Sequence, residues 1–139
     1  MHVQGSCHCN AVRFEADIDT DAVSACHCTD CQKLTGTAFR LSVAARAGSF
    51  RVLAGTPRVY LKKADSGRVR EQGFCQHCGT PLYATSHGGT EPRVYNVRIG
   101  SLPEGVRDAL RPKRQIWYRS RLPWLAAIAE APAIEGDPG

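Results

Sequence analysis

The distribution of cysteine constrains this chain more than any other feature of its sequence. All seven cysteines fall in three short clusters: Cys7-His8-Cys9, Cys26-His27-Cys28-Thr29-Asp30-Cys31 and Cys75-Gln76-His77-Cys78-Gly79. An odd number of cysteines cannot all pair as disulfides within one chain. Scattered free cysteines often serve as small buried apolar residues, but tight clusters that use every cysteine are typical of metal ligation. The pattern therefore predicts bound metal, and thiolate ligands favour zinc.

The number of cysteines in each cluster predicts two zinc ions per chain, held in two kinds of site. A structural zinc takes four ligands in a tetrahedron, whereas a catalytic zinc takes three protein ligands and leaves one position open. The predicted four-ligand set is Cys7, Cys9, Cys75 and Cys78, and the predicted three-ligand set is Cys26, Cys28 and Cys31. A different partition, in which the first cluster joins the second, stays open at this point.

The local spacing of the cysteines supports ligation and bears on the neighbouring residues. Residues i and i+2 of an extended segment share a face, so both sulfurs of a Cys-x-Cys pair can converge on one ion. His8 and His27 lie between such cysteines and are expected to point away from the metal, and His77 is expected to be exposed. The Cys75-x-x-Cys78 pair predicts a tight turn, with Gly79 at a positive φ angle. A thioredoxin-like redox pair would need a following helix, which Gly79-Thr80-Pro81 disfavours.

Most of the remaining sequence predicts short β-strands. Alternation of apolar and polar residues, separated by glycine- and proline-rich turns, is typical of half-buried strands. Strands are predicted at residues 12–18, 39–43, 50–53, 58–61, 69–74, 82–85, 94–99 and 115–118. Short helices are predicted at residues 28–34 and 124–131. The chain is therefore expected to form a single mainly β domain over residues 1–139, with residues 126–139 as a C-terminal tail.

Composition narrows the cellular setting and the class of partner. The 139-residue chain has no apolar run of the roughly 20 residues that a membrane helix needs, and its first residues lack the pattern of a secretory signal. A cytoplasmic protein with reduced thiols is expected. Seven thiolates would remove seven charges and two Zn²⁺ ions would restore four, so the formal charge of +5 would fall to about +2. This small charge argues against nucleic acid as a partner.

The cysteine motifs and their flanks resemble the glutathione-dependent formaldehyde-activating enzyme (GFA) family, also called the centromere protein V domain family. The segments that carry the resemblance begin at Gly5-Ser6-Cys7, Cys26-His27-Cys28 and Phe74-Cys75-Gln76. The late segment from Ile116-Trp117 to Pro123-Trp124 also resembles the closing motif of that family. The similarity extends from Gly5 to about Leu125.

The resemblance implies a β-tent of short antiparallel sheets with zinc at the joints, and it implies the four-plus-three division of cysteines. It also implies a carbon–sulfur lyase activity, in which the adduct of glutathione with formaldehyde is formed or cleaved. Fold and metal follow from such a resemblance more firmly than substrate does. One departure is Gln115, which occupies a position where many members have histidine.

Two further features are candidates for contact with a substrate. Thr29 and Asp30 lie between the ligands of the three-cysteine cluster, where they could orient a bound group or simply cap a turn. The basic and aromatic segment 111–121 could grip carboxylates through Arg119 or Arg121, bind phosphates, or form an edge strand with charged residues on its solvent face.

Two functions of different classes are compatible with these features. The first is a zinc-dependent carbon–sulfur lyase that acts on adducts of glutathione or another small thiol with an aldehyde. The second is a non-catalytic, zinc-stapled binding module for protein or nucleic acid. The three-cysteine cluster favours the lyase, because a purely structural module needs no zinc site with an open position.

Overall fold

The computed structural model describes residues 1–139, in which strands dominate. The strands are β1 (His2–Ser6), β2 (Arg13–Cys26), β3 (Arg40–Ala45), β4 (Arg51–Ala54), β5 (Arg58–Lys63), β6 (Val69–Phe74), β7 (Pro81–Ser86), β8 (Asn96–Arg98) and β9 (Arg114–Ile116). The α-helices are α1 (Thr29–Thr35) and α2 (Glu104–Ala109), and 3₁₀ turns occupy Ile99–Ser101, Tyr118–Ser120 and Leu125–Glu130. The predicted mainly β fold with little helix is confirmed. None of the helices has the length and apolar character needed to span a membrane.

The strands form one hydrogen-bonded sheet in the order β1-β2-β3-β8-β7-β6-β5, and neighbours along this path are antiparallel. Strand β4 adds to β2 in the antiparallel direction, and β9 adds to β2 in the parallel direction. Strand β2 therefore joins two halves of the sheet. Residues 13–17 of β2 pair with β1 and β4, and the part from Ile18 onward pairs with β3 and β9.

Strand β2 is longer than its sequence pattern predicts. The alternation of apolar residues stops at Ile18, and the following residues Asp19, Thr20 and Asp21 are polar and exposed. The β2–β3 register shifts between Ile18 and Val23, which lets the strand continue past this exposed stretch to Cys26. The three-cysteine cluster consequently begins on the sheet itself.

Alternate residues of the central strands face opposite sides of the sheet, as the two-residue period of a strand requires. One face packs into the hydrophobic core, whose fully buried members include Phe14, Val23, Val43, Leu82 and Val97. The other face carries polar side chains toward a cavity. The sheet thus separates a folding face from a face available for binding.

The remaining differences from the sequence prediction have local causes. The predicted strand 115–118 ends at Ile116 because Trp117 adopts a left-handed conformation with φ 53°, and the chain then turns. The predicted helix 124–131 is a 3₁₀ turn. Strand β1 was missed because Gly5 interrupts its apolar alternation; the Phe14 ring fills the space where a Cβ would lie. Helix α2 was also missed.

Candidate functional site

The first cysteine cluster brings together Cys7, Cys9, Cys75 and Cys78, whose sulfur atoms all lie within 4.8 Å of one another. The Sγ atoms of Cys7 and Cys9 are 3.6 Å apart, and those of Cys9 and Cys75 are 3.7 Å apart. Four thiolates at the usual Zn–S distance of about 2.3 Å would be separated by about 3.8 Å in a tetrahedron. The donor set and its spacing fit a closed, four-coordinate zinc ion.

Backbone amides hold the buried sulfurs of this cluster in place. The amide of Val12 donates a hydrogen bond to Cys7 Sγ at 3.2 Å, and the amide of His77 donates to Cys75 Sγ at 3.4 Å. Gly79 follows at φ 78°, as the Cys-x-x-Cys-Gly spacing predicts. Cys7 and Cys9 were expected to lie on one face of an extended segment, but the chain turns directly after Cys7. This turn brings the sulfurs together as effectively as a shared strand face.

Thr80 ties the two halves of the four-cysteine cluster together. Its hydroxyl accepts a hydrogen bond from the amide of His8 at 3.0 Å and lies 3.2 Å from Cys78 Sγ. The Thr80 hydroxyl, followed by the amides of Cys9 and Thr80, lowers the pKa of the Cys78 thiol to about 5. Cys78 is therefore already disposed to be a thiolate, the form in which cysteine binds a metal.

The second cluster brings together Cys26, Cys28 and Cys31, whose sulfurs also lie within 4.8 Å of one another. Cys26 ends β2, Cys28 is the N-cap of α1, and Cys31 lies in the first turn of that helix. The amide of Cys31 donates to Cys28 Sγ at 3.3 Å. A hydrogen bond from Cys31 lowers the pKa of Cys26, whereas the same pairing raises the pKa of Cys31. These three soft donors fit a zinc ion with one position left for another ligand.

Side chains behind the three-cysteine cluster fix its loop. His27 is fully buried, and its Nε2 lies 2.8 Å from Oε1 of Gln115 on β9. Gln32 donates from Nε2 to the backbone oxygens of His27 and Ser120. His27 therefore lies outside the group of ligating atoms, as do the exposed His8 and His77. The departure at Gln115 thus supplies a polar partner to the residue between two ligands.

A cavity of 710 Å³ adjoins the three-cysteine cluster, and all three of its cysteines line it. Its floor is the polar face of the sheet, formed by alternate residues such as Ser24 and Cys26 on β2. Thr29 and Asp30 also line it, so the structure places both predicted candidates beside the cavity. Asp30 is held by an ion pair with Lys62, in which Oδ2 and Nζ are 2.9 Å apart.

The cavity is strongly basic, a property that the cysteine motifs do not predict. Seven cationic side chains and two acidic ones line it. Five of these cations lie on strands of the sheet: Arg40, Lys62, Arg70, Arg98 and Arg114. The other two, Arg68 and Arg119, lie outside the strands. No local signal in the sequence distinguishes Arg40, Arg70 and Arg98 from charged residues on the solvent side of a strand.

The basic segment 111–121 contributes only in part to this cavity. Arg119 stacks on Trp117, with its guanidinium carbon 4.7 Å from the ring centroid, and both residues line the cavity. Arg121 instead covers Tyr118 at 4.1 Å and donates to the Tyr118 carbonyl. Strand β9 is an edge strand that pairs only with β2. Of the two arginines considered as carboxylate contacts, Arg119 lines the cavity and Arg121 does not.

The sequence also matches a family model, that of the glutathione-dependent formaldehyde-activating enzyme, over residues 2–120. The chain belongs to this family. The resemblance found in the cysteine motifs is confirmed. Membership of the GFA family also agrees with the presence of two cysteine clusters that can hold metal ions.

Two individual proteins are similar to this GFA-family chain. An uncharacterized lyase of Schizosaccharomyces pombe is 28% identical over 94 residues, which are 68% of this chain and 65% of the length of that protein. A crystal structure of a Rhodobacter sphaeroides protein has a TM-score of 0.60 and 24% sequence identity, and the match covers 81% of this chain and 98% of that one. The second comparison shows that the two proteins share a fold.

Proposed function

We propose that this protein is a carbon–sulfur lyase that acts on the adduct of an aldehyde with glutathione or another small thiol. The observation that carries the proposal is the position of Cys26, Cys28 and Cys31 in the wall of a 710 Å³ basic cavity. Membership of the GFA family supports the class of reaction, and so does the similarity to an uncharacterized lyase. The volume lies within the range of about 300–1,000 Å³ typical of small-molecule sites.

Zinc is the metal that the three-cysteine cluster fits best, because its donors are three converging thiols. When bound, zinc stabilises a substrate sulfur as thiolate, since a coordinating thiol is deprotonated. The four-cysteine cluster has no such role in the proposal, because its ligand set is complete. In this proposal the four-cysteine cluster stabilises the fold and the three-cysteine cluster binds the substrate.

The chain's own residues would bind the adduct and accept the proton that its hydroxyl group releases. In the cleavage direction the bond between sulfur and carbon breaks, and its electron pair goes to sulfur. The hydroxyl oxygen forms a double bond to the same carbon and releases its proton, so the products are a thiolate, an aldehyde and one proton. The Asp30 carboxylate lies in the cavity wall, oriented by Lys62, and can accept that proton. The cationic lining attracts an acidic thiol compound and orients it.

Binding of glutathione to the zinc-loaded protein tests the proposal directly. We expect calorimetry to show that glutathione binds at least tenfold more tightly than S-methylglutathione, in which the thiol is blocked. Exchange NMR on a mixture of ¹³C-formaldehyde and glutathione should show faster interconversion of the adduct and its components when the protein is added.

A Cys31→Ser variant provides the control, because it changes one sulfur of the cavity cluster and leaves the four-cysteine cluster intact. The Cys31→Ser variant should bind glutathione and S-methylglutathione equally, and it should not accelerate interconversion of the adduct and its components. Equal binding of glutathione and S-methylglutathione, without any acceleration, would contradict the proposal.

A further inference from the structure

The floor of the cavity contains two arginines that have no acidic partner. Arg40 on β3 is only 6% exposed, and Arg98 on β8 lies beside it across the sheet. Both guanidinium groups donate to one neutral atom, Oε1 of Gln72: Arg40 Nη1 at 3.3 Å and Arg98 Nη2 at 2.6 Å. Arg98 Nη1 also donates to Ser42 Oγ at 2.7 Å. We call Arg40, Arg98 and Gln72 the arginine pair site.

The arginine pair site lacks a counter-ion, and some of its hydrogen-bond donors lack acceptors. Neither arginine takes part in any salt bridge of the protein. The Nε atoms of both are buried and lack a hydrogen-bond partner. A buried charge that lacks a counter-ion is strongly unfavourable, and so are two like charges around a single acceptor. Burial, and then repulsion from Arg40, lower the pKa of Arg98 to about 9.

The neighbouring cysteines cannot neutralise this charge once they hold a metal. Cys26 lies directly opposite Arg40 in the β2–β3 register, so the cluster and the arginine pair site are adjacent. Three thiolates with one divalent zinc ion carry one net negative charge, whereas the arginine pair site carries two positive charges and Arg70 adds a third. The cavity as a whole has seven cations against two acids. An anion from outside the chain is needed to balance the positive charge of the cavity floor.

We propose that Arg40 and Arg98 bind an anionic group, a carboxylate or a phosphate, of the molecule whose sulfur lies at the three-cysteine cluster. The fork of donors on each guanidinium matches the paired oxygens of such groups. The substrate class is therefore an acidic thiol adduct rather than a neutral one. The position of the sulfur rests on the proposed function, but the anion site rests on the arginines alone.

The Gln72→Glu substitution tests this inference, because it keeps the side-chain shape and places a carboxylate between the two guanidinium groups. The internal carboxylate should take the place of the external anion and raise the melting temperature. We expect inorganic phosphate and succinate, titrated separately into the zinc-loaded protein, to bind the wild type and to bind Gln72→Glu at least tenfold more weakly. The anion that binds more tightly identifies the group as phosphate or carboxylate.

Arg68→Met is the matched control, because Arg68 also lines the cavity but is exposed, and its side chain hydrogen bonds only to Ser66. It should weaken anion binding by less than about threefold. A second variant, Arg98→Lys, keeps the charge but removes the fork, and it should weaken binding at least fivefold with zinc content unchanged.

The outcomes separate this inference from the proposed function. Gln72-dependent anion binding, together with equal binding of glutathione and S-methylglutathione and no acceleration of the glutathione adduct, would reject the lyase and uphold the anion site. Acceleration of the adduct, together with anion affinities that Gln72→Glu and Arg98→Lys leave unchanged, would overturn the anion site and uphold the lyase. The absence of any phosphate or succinate binding by the wild type at 10 mM would also overturn it.

Discussion

The four-cysteine and three-cysteine clusters use the same donor atom in opposite surroundings. The first cluster joins segments that are far apart in the chain, since Cys9 and Cys75 are separated by 66 positions. Cys7 and Cys75 in it are buried, and backbone amides bond their sulfurs. The second cluster lies within a six-residue segment, has half-buried sulfurs, and borders a basic cavity.

This difference teaches that the sequence separation of the ligands, and not their chemical type, decides what a cluster contributes. A metal that joins distant segments stabilises the folded state relative to the unfolded chain, because it closes a long loop. A metal held by one local segment restrains little of the chain. Its surroundings are consequently free to specialise, and around the second cluster they form a basic cavity.

The largest effect is expected when one buried sulfur is removed from the four-cysteine cluster, which tests whether this cluster stabilises the fold. Structural zinc binding contributes on the order of 10 kcal/mol in small peptides, while a whole domain has a net stability of about 5–15 kcal/mol. We expect Cys75→Ser to abolish cooperative thermal unfolding, monitored by circular dichroism. A Cys75→Ser protein that melts like the wild type would show that the first cluster has no structural role.

The corresponding change in the second cluster should affect metal content and leave the fold intact. We expect Cys31→Ser to lower bound zinc from about two to about one per chain, measured by atomic emission. Its far-ultraviolet circular dichroism should match that of the wild type. Finding two tightly bound zinc ions in folded Cys31→Ser would mean that the two clusters do not differ as the structure indicates.

The smallest expected effect concerns the residues that support the second cluster. Gln115→Leu removes the hydrogen-bond partner of His27, which lies between Cys26 and Cys28. Removing the direct partner of a ligand typically costs about 10–100-fold in metal affinity, and because His27 is not itself a ligand we expect a loss at or below the lower end of that range. Chelator competition should show this weakening for the more labile zinc only. The matched control is Gln76→Leu, an exposed residue between the ligands of the first cluster, and it should change neither affinity.

Much of this architecture could be predicted from the sequence, because its signals are local. Cysteine spacing indicated the two groups of sulfurs that the structure brings together. Alternation located most strands, and strand β6 was predicted with its observed bounds. Where the local signal was absent, the prediction failed. The second half of β2 was not predicted because the apolar alternation stops at Ile18, and β1 was not predicted because Gly5 interrupts its alternation.

The cavity could not be predicted because it depends on which strands become neighbours. Arg40, Gln72 and Arg98 are far apart in the sequence, and only the order β3-β8-β7-β6 brings their side chains together. Each arginine alone resembles a charged residue on the solvent side of a strand. The basic segment 111–121 was easier to see but proved less informative, because only part of it faces the cavity.

The long separation within the first cluster also sets an order of events during synthesis. Cys26, Cys28 and Cys31 leave the ribosome together, so this group is complete as soon as one short segment has emerged. Cys7 and Cys9 must wait for Cys75 and Cys78. At about 5–20 residues per second, the stretch between Cys31 and Cys78 takes roughly 2–10 s to make. A metal bound by the three-cysteine cluster would therefore be captured seconds before a metal bound by the four-cysteine cluster.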